Sequence, residues 1–201
     1  MSNKVRVNKR TQSTKKYLDE LNKVYSKLNV VRLDLSYKKP YSNKMTLEET
    51  NKDIQHMFNN MRSKPSVYGD KVGYMLKKEY TEDKGMHIHA VFFFDGQKIK
   101  KSAYKADQIG EHWEEITQEK GAYHNCHRNK YKHKGVGILK HDDIEKRKIL
   151  DQYVISYLCK DDSKQDIESI RNSKRAKAFV RGAMPKKKNN VGRPRKDTNT
   201  L

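Results

Sequence analysis

The chain has 201 residues, of which 34% are hydrophobic and 35% are charged, and its formal net charge is +20. This composition indicates one domain of moderate size with a small core. It argues against a membrane protein, because no apolar run approaches the roughly 20 residues that a spanning helix needs. Two cysteines and the lack of a secretory leader predict a reduced, cytoplasmic protein.

The positive charge is concentrated at the two ends of the chain. Residues 1–27 carry eight Lys and Arg against two acids, and residues 171–201 carry eleven against one. We therefore predict a basic N-terminal helix or arm over 1–29, a folded domain over 30–162, and a basic C-terminal helix with a disordered tail over 163–201. Basic ends suit a phosphate backbone, although solubilising tails and ribosomal-type RNA binding have the same composition.

The first part of the sequence predicts a helix, a strand and a second helix. Apolar residues have helical spacing over about 12–28, and residues 30–37 alternate apolar with polar, as a strand does. Thr46 and Glu49 form a capping box at the start of the next helix, which we expect to reach about Arg62.

Two histidines, His87 and His89, stand at the head of an apolar, aromatic strand. A strand over 72–81 and a turn over 82–86 precede them, which predicts a hairpin with a five-residue loop. In that register Glu79 lies opposite His89, and the three side chains share one face of the sheet. Two imidazoles and a carboxylate are typical of a catalytic metal site, and ligand chemistry alone allows Zn, Mn, Fe or Co. Packed histidines without a metal are the alternative interpretation.

The second part of the sequence predicts a helix over 101–119 that stops at Gly121, an irregular segment over 123–134 and a short strand over 135–140. A last core helix continues to about residue 160. Together with the earlier elements, this order predicts an α+β fold, in which an antiparallel sheet has helices on one face and the histidines on the open face.

The last core helix, which Asp142 or Asp143 can cap, carries two tyrosines. Tyr153, Tyr157 and Lys160 are spaced at i, i+4 and i+7, which predicts one shared face. A phenol has a pKa of about 10 and becomes a useful nucleophile beside a cation or a base. Lys160 can supply that positive charge. The alternative is that the tyrosines pack the helix onto the sheet.

Two further groups of residues have functional interpretations. The first group consists of Cys126, His127, His133 and His141. It could form a zinc site, although its spacing matches no standard zinc finger. The alternative interpretation is a polar loop that faces DNA. Near the C-terminus, Arg193 and Arg195 flank a proline as in an AT-hook, which lies in a narrow minor groove. Nonspecific phosphate binding by the same tail is the alternative. The tail's candidate DNA-binding residues also include Lys186, Lys187 and Lys188.

In combination, these motifs resemble those of the HUH single-strand endonucleases. His87-Ile88-His89 matches the metal-binding motif, and Tyr157-Leu158-Cys159-Lys160 matches the tyrosine motif. Tyr153 precedes it by one turn, as in two-tyrosine rolling-circle replication initiators. The pattern covers roughly residues 30–160 and is similar to that of the initiators of filamentous phages and related elements.

The resemblance implies a split β-α-β (RRM-like) sheet and a nicking reaction. His87, His89 and Glu79 would hold Mg²⁺ or Mn²⁺, and Tyr157 would attack a phosphate of single-stranded or hairpin origin DNA. A 5′-phosphotyrosine and a 3′-hydroxyl that primes a host polymerase would result, with Tyr153 available for a second transfer. Which tyrosine acts first stays open at this point.

Other consequences of the resemblance concern the third metal ligand and the partners. The family places a polar third ligand on the neighbouring strand, which favours Glu79 over Asp34, a weaker candidate on the first strand. No long C-terminal domain follows, so we expect unwinding to depend on a host helicase. A non-catalytic DNA-binding regulator and a transposase or mobilisation relaxase with the same site are the competing interpretations.

Overall fold

The computed structural model of the protein describes residues 3–160 and 177–186. These residues form an α+β fold with a six-stranded antiparallel sheet, which confirms the predicted fold class at this level. The strands are β1 (Lys27–Tyr37), β2 (Lys71–Thr81), β3 (Gly85–Asp95), β4 (Gly121–Asn125), β5 (Gly137–Lys140) and β6 (Phe179–Arg181). The helices are α1 (Asn3–Val24), α2 (Leu47–Asn60), α3 (Pro65–Tyr68), α4 (Ser102–Ile116), α5 (Ile144–Ile149) and α6 (Ser156–Cys159).

A π-helical segment, Leu150–Ile155, joins α5 to α6. The three pieces run on without a break, and we call residues 144–159 the tyrosine helix. Asp143 caps its start by accepting a hydrogen bond from the main-chain N–H of Lys146. Of the two capping aspartates that the sequence allowed, the structure therefore uses the second.

The long strands β1, β2 and β3 form the middle of the sheet. β3 lies between β1 and β2, and β6 adds to the outer edge of β2. On the other side, β1 pairs with β5 along its first half and with β4 along its second half. All of these pairings are antiparallel.

The first face of the sheet is covered by α2, α3 and α4. Alternate residues of β1 point to this face, as the sequence predicted, and meet the apolar sides of the helices. The capping box of Thr46 and Glu49 that begins α2 is confirmed as well. The buried residues here include Val31, Leu33, Leu35, Leu47, Ile54, Leu76, Ile88, Phe92, Phe94, Ile109 and Trp113.

The second face is also covered, so the prediction of helices on one face only is wrong. α1 begins at Asn3, well before the predicted residue 12, and packs on this face together with the tyrosine helix. Both helices carry apolar stripes that must be buried, and the first face is already filled. The buried residues of this face include Tyr17, Leu18, Leu21, Val30, Met75, Val91, Phe93, Leu150, Val154, Ile155 and Leu158.

The β2–β3 hairpin has a register two residues away from the predicted one. Thr81 pairs with Gly85, which places Glu79 opposite His87 and not opposite His89. Gly85 has a positive φ of 68° and starts the strand at once, and Met86, expected in the turn, is fully buried. The loop is therefore three residues long. Because side chains alternate with a period of two, a shift of two keeps Glu79 on the histidine face.

Two local predictions are also wrong. Gly121 does not end α4 but begins β4, a strand within a segment that the sequence presented as irregular. The positive φ angles that follow α4 belong to Gln118 and Glu119. Within the predicted basic C-terminal segment, 163–201, the structure describes residues 177–186, of which Phe179–Arg181 form a strand; the predicted helix lies largely outside the described residues.

α1 is 22 residues long and rich in lysine and arginine. Over residues 3–160 and 177–186, no helix has the apolar length required to cross a bilayer.

Candidate metal and nucleophile site

Three side chains converge at one end of the second face, beneath the end of the tyrosine helix. Glu79 Oε2 lies 3.1 Å from His89 Nε2 and 3.4 Å from His87 Nε2. Within the described part of the chain, this is the group of His, Cys, Asp and Glu side chains whose ligand atoms can share one ion. Ligands bound about 2.1 Å from one cation at right angles lie about 3 Å apart, so the spacing fits a divalent metal.

Both histidines are oriented by hydrogen bonds through their other ring nitrogen. His89 Nδ1 donates to Asp34 Oδ1 over 2.7 Å, and His87 Nδ1 donates to the main-chain oxygen of Gly85 over 3.1 Å. Holding one proton on Nδ1 keeps Nε2 of each ring turned toward Glu79. There Nε2 donates a proton to the carboxylate or, once it has lost that proton, offers a lone pair to a metal, which is how metal-binding histidines are commonly oriented. Asp34, considered in the sequence as a third ligand, thus holds His89 in place.

The ionisation of the cluster follows from these contacts. Burial alone would raise the pKa of Glu79, but hydrogen bonds from both histidines and the charges of His89 and Lys77 lower that pKa well below its ordinary value. Burial also raises the pKa of Asp34, and the hydrogen bond and charge of His89 more than reverse this. The carboxylates in turn raise the pKa of His89 against the effect of burial. Two carboxylates therefore stay ionised and attract positive charge to this point.

Tyr157 brings a hydroxyl group to the same point. Its oxygen lies 3.1 Å from His89 Nε2 and 3.5 Å from Glu79 Oε2, and its ring meets the His89 ring edge-on with centroids 4.9 Å apart. Burial, followed by the charges of Glu79 and Asp34, raises the pKa of this phenol to about 12. The hydroxyl therefore keeps its proton at neutral pH and lies within hydrogen-bonding reach of the imidazole of His89.

Tyr153 does not share this position, and the predicted common face of the two tyrosines is wrong. Its ring stacks on His133, with centroids 4.7 Å apart, and 42% of its surface is exposed. The reason is the π-helical segment, in which Tyr153 itself lies: the wider turn abolishes the usual i, i+4 relation to Tyr157.

Lys160, predicted to supply charge, does lie beside Tyr157. Its Nζ is 3.9 Å from the centre of the Tyr157 ring and 3.8 Å from Glu79 Oε1. The Arg32 guanidinium lies 5.5 Å from the same ring on the β1 side. The phenol is therefore bracketed by two cations.

Lys77 is a member of the site that the sequence analysis overlooked. It is fully buried opposite His89, with its Nζ 3.1 Å from Glu79 Oε1 and 3.3 Å from the main-chain oxygen of Lys160. It thus joins the carboxylate to the end of the tyrosine helix. Its position two residues before Glu79 on one strand was the available signal, since such residues share a face.

Of the remaining sequence candidates that the structure describes, Cys126 lies beside Asp34, and none is part of the cluster of Glu79, His87 and His89. Lys186 is exposed, whereas Lys187, Lys188, Arg193 and Arg195 lie outside the described residues. The four Cys and His residues considered for zinc have separate roles: His127 Nε2, for example, accepts the main-chain N–H of Arg32, and His133 stacks on Tyr153.

A family model described as YagK/YfjJ C-terminal domain matches residues 1–175 of the chain. The searches of curated proteins and of solved structures found no match to the chain.

Proposed function

The chain belongs to the YagK/YfjJ C-terminal domain family, and on the geometry of its site we propose that it is a metal-dependent nuclease that nicks and rejoins single-stranded DNA through Tyr157. The reaction is that of an HUH-type initiator of rolling-circle replication. The observation that carries this proposal is the approach of the Tyr157 hydroxyl to within 3.1 Å of His89 Nε2, in a cluster prepared to hold a metal ion.

Different residues of the site would bind the metal ion and orient its ligands. His87, His89 and Glu79 would hold the ion, while Asp34 and the Gly85 carbonyl keep the two imidazoles oriented for it. Mg²⁺ or Mn²⁺ held there would supply positive charge that offsets the carboxylates and the charge developing on the scissile phosphate. Lys160 and Arg32 add positive charge on either side of the phenol.

Tyr157 performs the bond exchange. Its oxygen forms a bond to phosphorus as the bond from phosphorus to the 3′-oxygen breaks; the phenol loses a proton and the leaving oxygen gains one. The product is a 5′-phosphotyrosine with a free 3′-hydroxyl, and the reverse reaction rejoins the strand. In a replicon this hydroxyl primes a host polymerase, and a host helicase opens the duplex.

The test is covalent capture of the DNA strand. Labelled single-stranded oligonucleotides, covering predicted hairpins in the DNA around the gene, are incubated with the protein and Mn²⁺ and then separated by denaturing electrophoresis. We expect an adduct with the wild-type protein and with Tyr153→Phe, and none with Tyr157→Phe, because of these two tyrosines it is Tyr157 whose hydroxyl lies beside the cluster.

His89→Ala is the matched metal-site variant. It should abolish the adduct while leaving salt-sensitive DNA binding intact, because the basic residues are untouched. An adduct that persists in Tyr157→Phe and disappears in Tyr153→Phe would refute the assignment of the nucleophile. No adduct with any strand, with either Mg²⁺ or Mn²⁺, would favour the non-catalytic DNA-binding regulator.

A further inference from the structure

A second polar feature lies between α1 and the edge strand β6. It is a cleft of about 320 Å³ on the same face of the sheet as the metal cluster. The residues lining it are Arg10, Ser13, Thr14, Lys177, Phe179, Val180 and Arg181.

The cleft offers positive charge and hydroxyl groups, and no Asp or Glu is among its lining residues in the described chain. The Arg181 guanidinium donates a hydrogen bond of 2.9 Å to Ser13 Oγ and lies 5.1 Å from the Tyr17 ring. Within the described residues its contacts are thus neutral ones. A guanidinium held in this way keeps its charge and most of its N–H donors for an anion.

The cleft lies next to the metal and nucleophile site, and Arg10 lies between them. Phe179 and His89 lie directly opposite Lys77 on its two neighbouring strands, so their Cα atoms are about 10 Å apart. Arg10 spans the gap: its guanidinium lies 5.4 Å from the Phe179 ring, and its Nη1 donates to the Lys160 main-chain oxygen over 3.3 Å.

We propose that this cleft binds a backbone phosphate of the DNA strand next to the scissile phosphate. The identity of the strand rests on the proposed function, whereas the phosphate contact rests on the charge and donors of the cleft itself. Arg181 and Lys177 bind the phosphate oxygens, with Ser13 at the rim. A strand that passes from the metal cluster along Lys160 and Arg10 reaches this phosphate site without crossing the sheet.

The test measures DNA binding without nicking. Fluorescence anisotropy follows a labelled oligothymidine of about 20 nucleotides, in EDTA and at several salt concentrations. Arg181→Gln should weaken binding about 3- to 10-fold at low salt and reduce the slope of log K against log salt by roughly 0.7, the contribution of one phosphate contact on a single strand. Ser13→Asp, at an exposed position, should weaken binding at least as much by placing a negative charge in the cleft.

Lys52→Gln is the matched control. It removes the same charge from an exposed position on α2, which covers the opposite face, and should change neither affinity nor slope. Circular dichroism melting establishes that each variant is folded. Wild-type affinity and slope in both Arg181→Gln and Ser13→Asp, or no binding of the oligonucleotide by the wild type, would overturn the phosphate site.

The binding assay and the adduct assay distinguish failure of the phosphate site from failure of the proposed nicking activity. Weakened binding in Arg181→Gln from a wild type that forms no adduct would support the cleft and refute the nickase. An adduct that requires Tyr157, together with unchanged DNA binding in both cleft variants, would refute the phosphate site and leave the proposed nicking activity standing.

Discussion

The two faces of the sheet are built from the same strands and have different chemistry. On β3, the first face receives Ile88, Phe92 and Phe94, all of them fully buried among helices. The second face receives Val91 and Phe93 in its packed half and His87 and His89 at its end. One strand thus stabilises the fold through one set of alternate residues and carries the candidate chemistry through the end of the other set.

The comparison shows that residues that stabilise the fold and residues of the candidate site can alternate along one strand. The polar end of the second face tolerates buried charges because they are paired with one another: Lys77 with Glu79, and His89 with both Glu79 and Asp34. Substitutions on the first face should therefore change stability, and substitutions at the polar end should change binding of the metal.

The largest expected effect is on the first face. Phe92→Ala removes a fully buried ring that packs against Tyr68, and it should lower the free energy of unfolding by about 3–5 kcal/mol. Urea denaturation measures this loss, and titration with Mn²⁺ under native conditions measures metal affinity. The folded fraction of the variant should bind Mn²⁺ as the wild type does; a large fall in its affinity would show that the two faces are coupled.

A smaller effect, on the second face, is expected for Asp34→Asn. An amide holds the Nδ1 proton of His89 less firmly than a carboxylate does, so Mn²⁺ affinity should fall about 10- to 100-fold with little change in stability. Isothermal titration calorimetry without DNA provides the affinity.

The control for Asp34→Asn is Asp53→Asn, the same chemical change on α2, where Asp53 Oδ2 accepts a hydrogen bond of 2.7 Å from the Tyr37 hydroxyl. That variant should retain wild-type metal affinity. Equal losses in the two variants would mean that Asp34 acts through general stability rather than by orienting His89.

The smallest expected effect concerns a buried charged residue of the first face, Lys78. Burial lowers its pKa from 10.5 to about 8, so the folded state disfavours its charge. Between pH 8 and 10.5 the unfolded chain binds more protons at this residue, and stability rises with pH; below pH 8 the penalty is fully present. Lys78→Met should therefore raise the free energy of unfolding at pH 7 by roughly 1–2 kcal/mol.

The measurement for Lys78 is the difference between variant and wild type in urea denaturation at pH 7 and at pH 10. Contributions from other groups cancel in that difference, which should shrink at the higher pH. A difference that is independent of pH would mean that the stability gained by Lys78→Met does not come from removing a buried charge.

The sequence predicted those features that depend on local periodicity. The alternation of β1, the capping box of Thr46 and Glu49, and the shared face of Glu79, His87 and His89 depend only on spacing along one or two neighbouring elements. For this reason the face assignment survived even though the hairpin register was wrong by two residues.

Features that depend on tertiary contacts were not predictable in the same way. The apolar stripes of α1 and the tyrosine helix show that each must be buried, but not on which side of the sheet. β4 has no apolar run and exists as a strand because it pairs with β1. The π-helical segment that separates Tyr153 from Tyr157 has no signature in the spacing of the tyrosines themselves.

The main-chain oxygen of Lys160 receives Nη1 of Arg10 from α1 and Nζ of Lys77 from β2. A fragment trimmed to begin at residue 30 would lose Arg10 together with the aromatic and leucine side chains of α1 that seal the second face. The main-chain oxygen at the end of the tyrosine helix would then keep the hydrogen bond from Lys77 and lose the one from Arg10. The basic segment ahead of the sheet is thus a poor place for truncation, and a fragment made for expression should include the whole of α1.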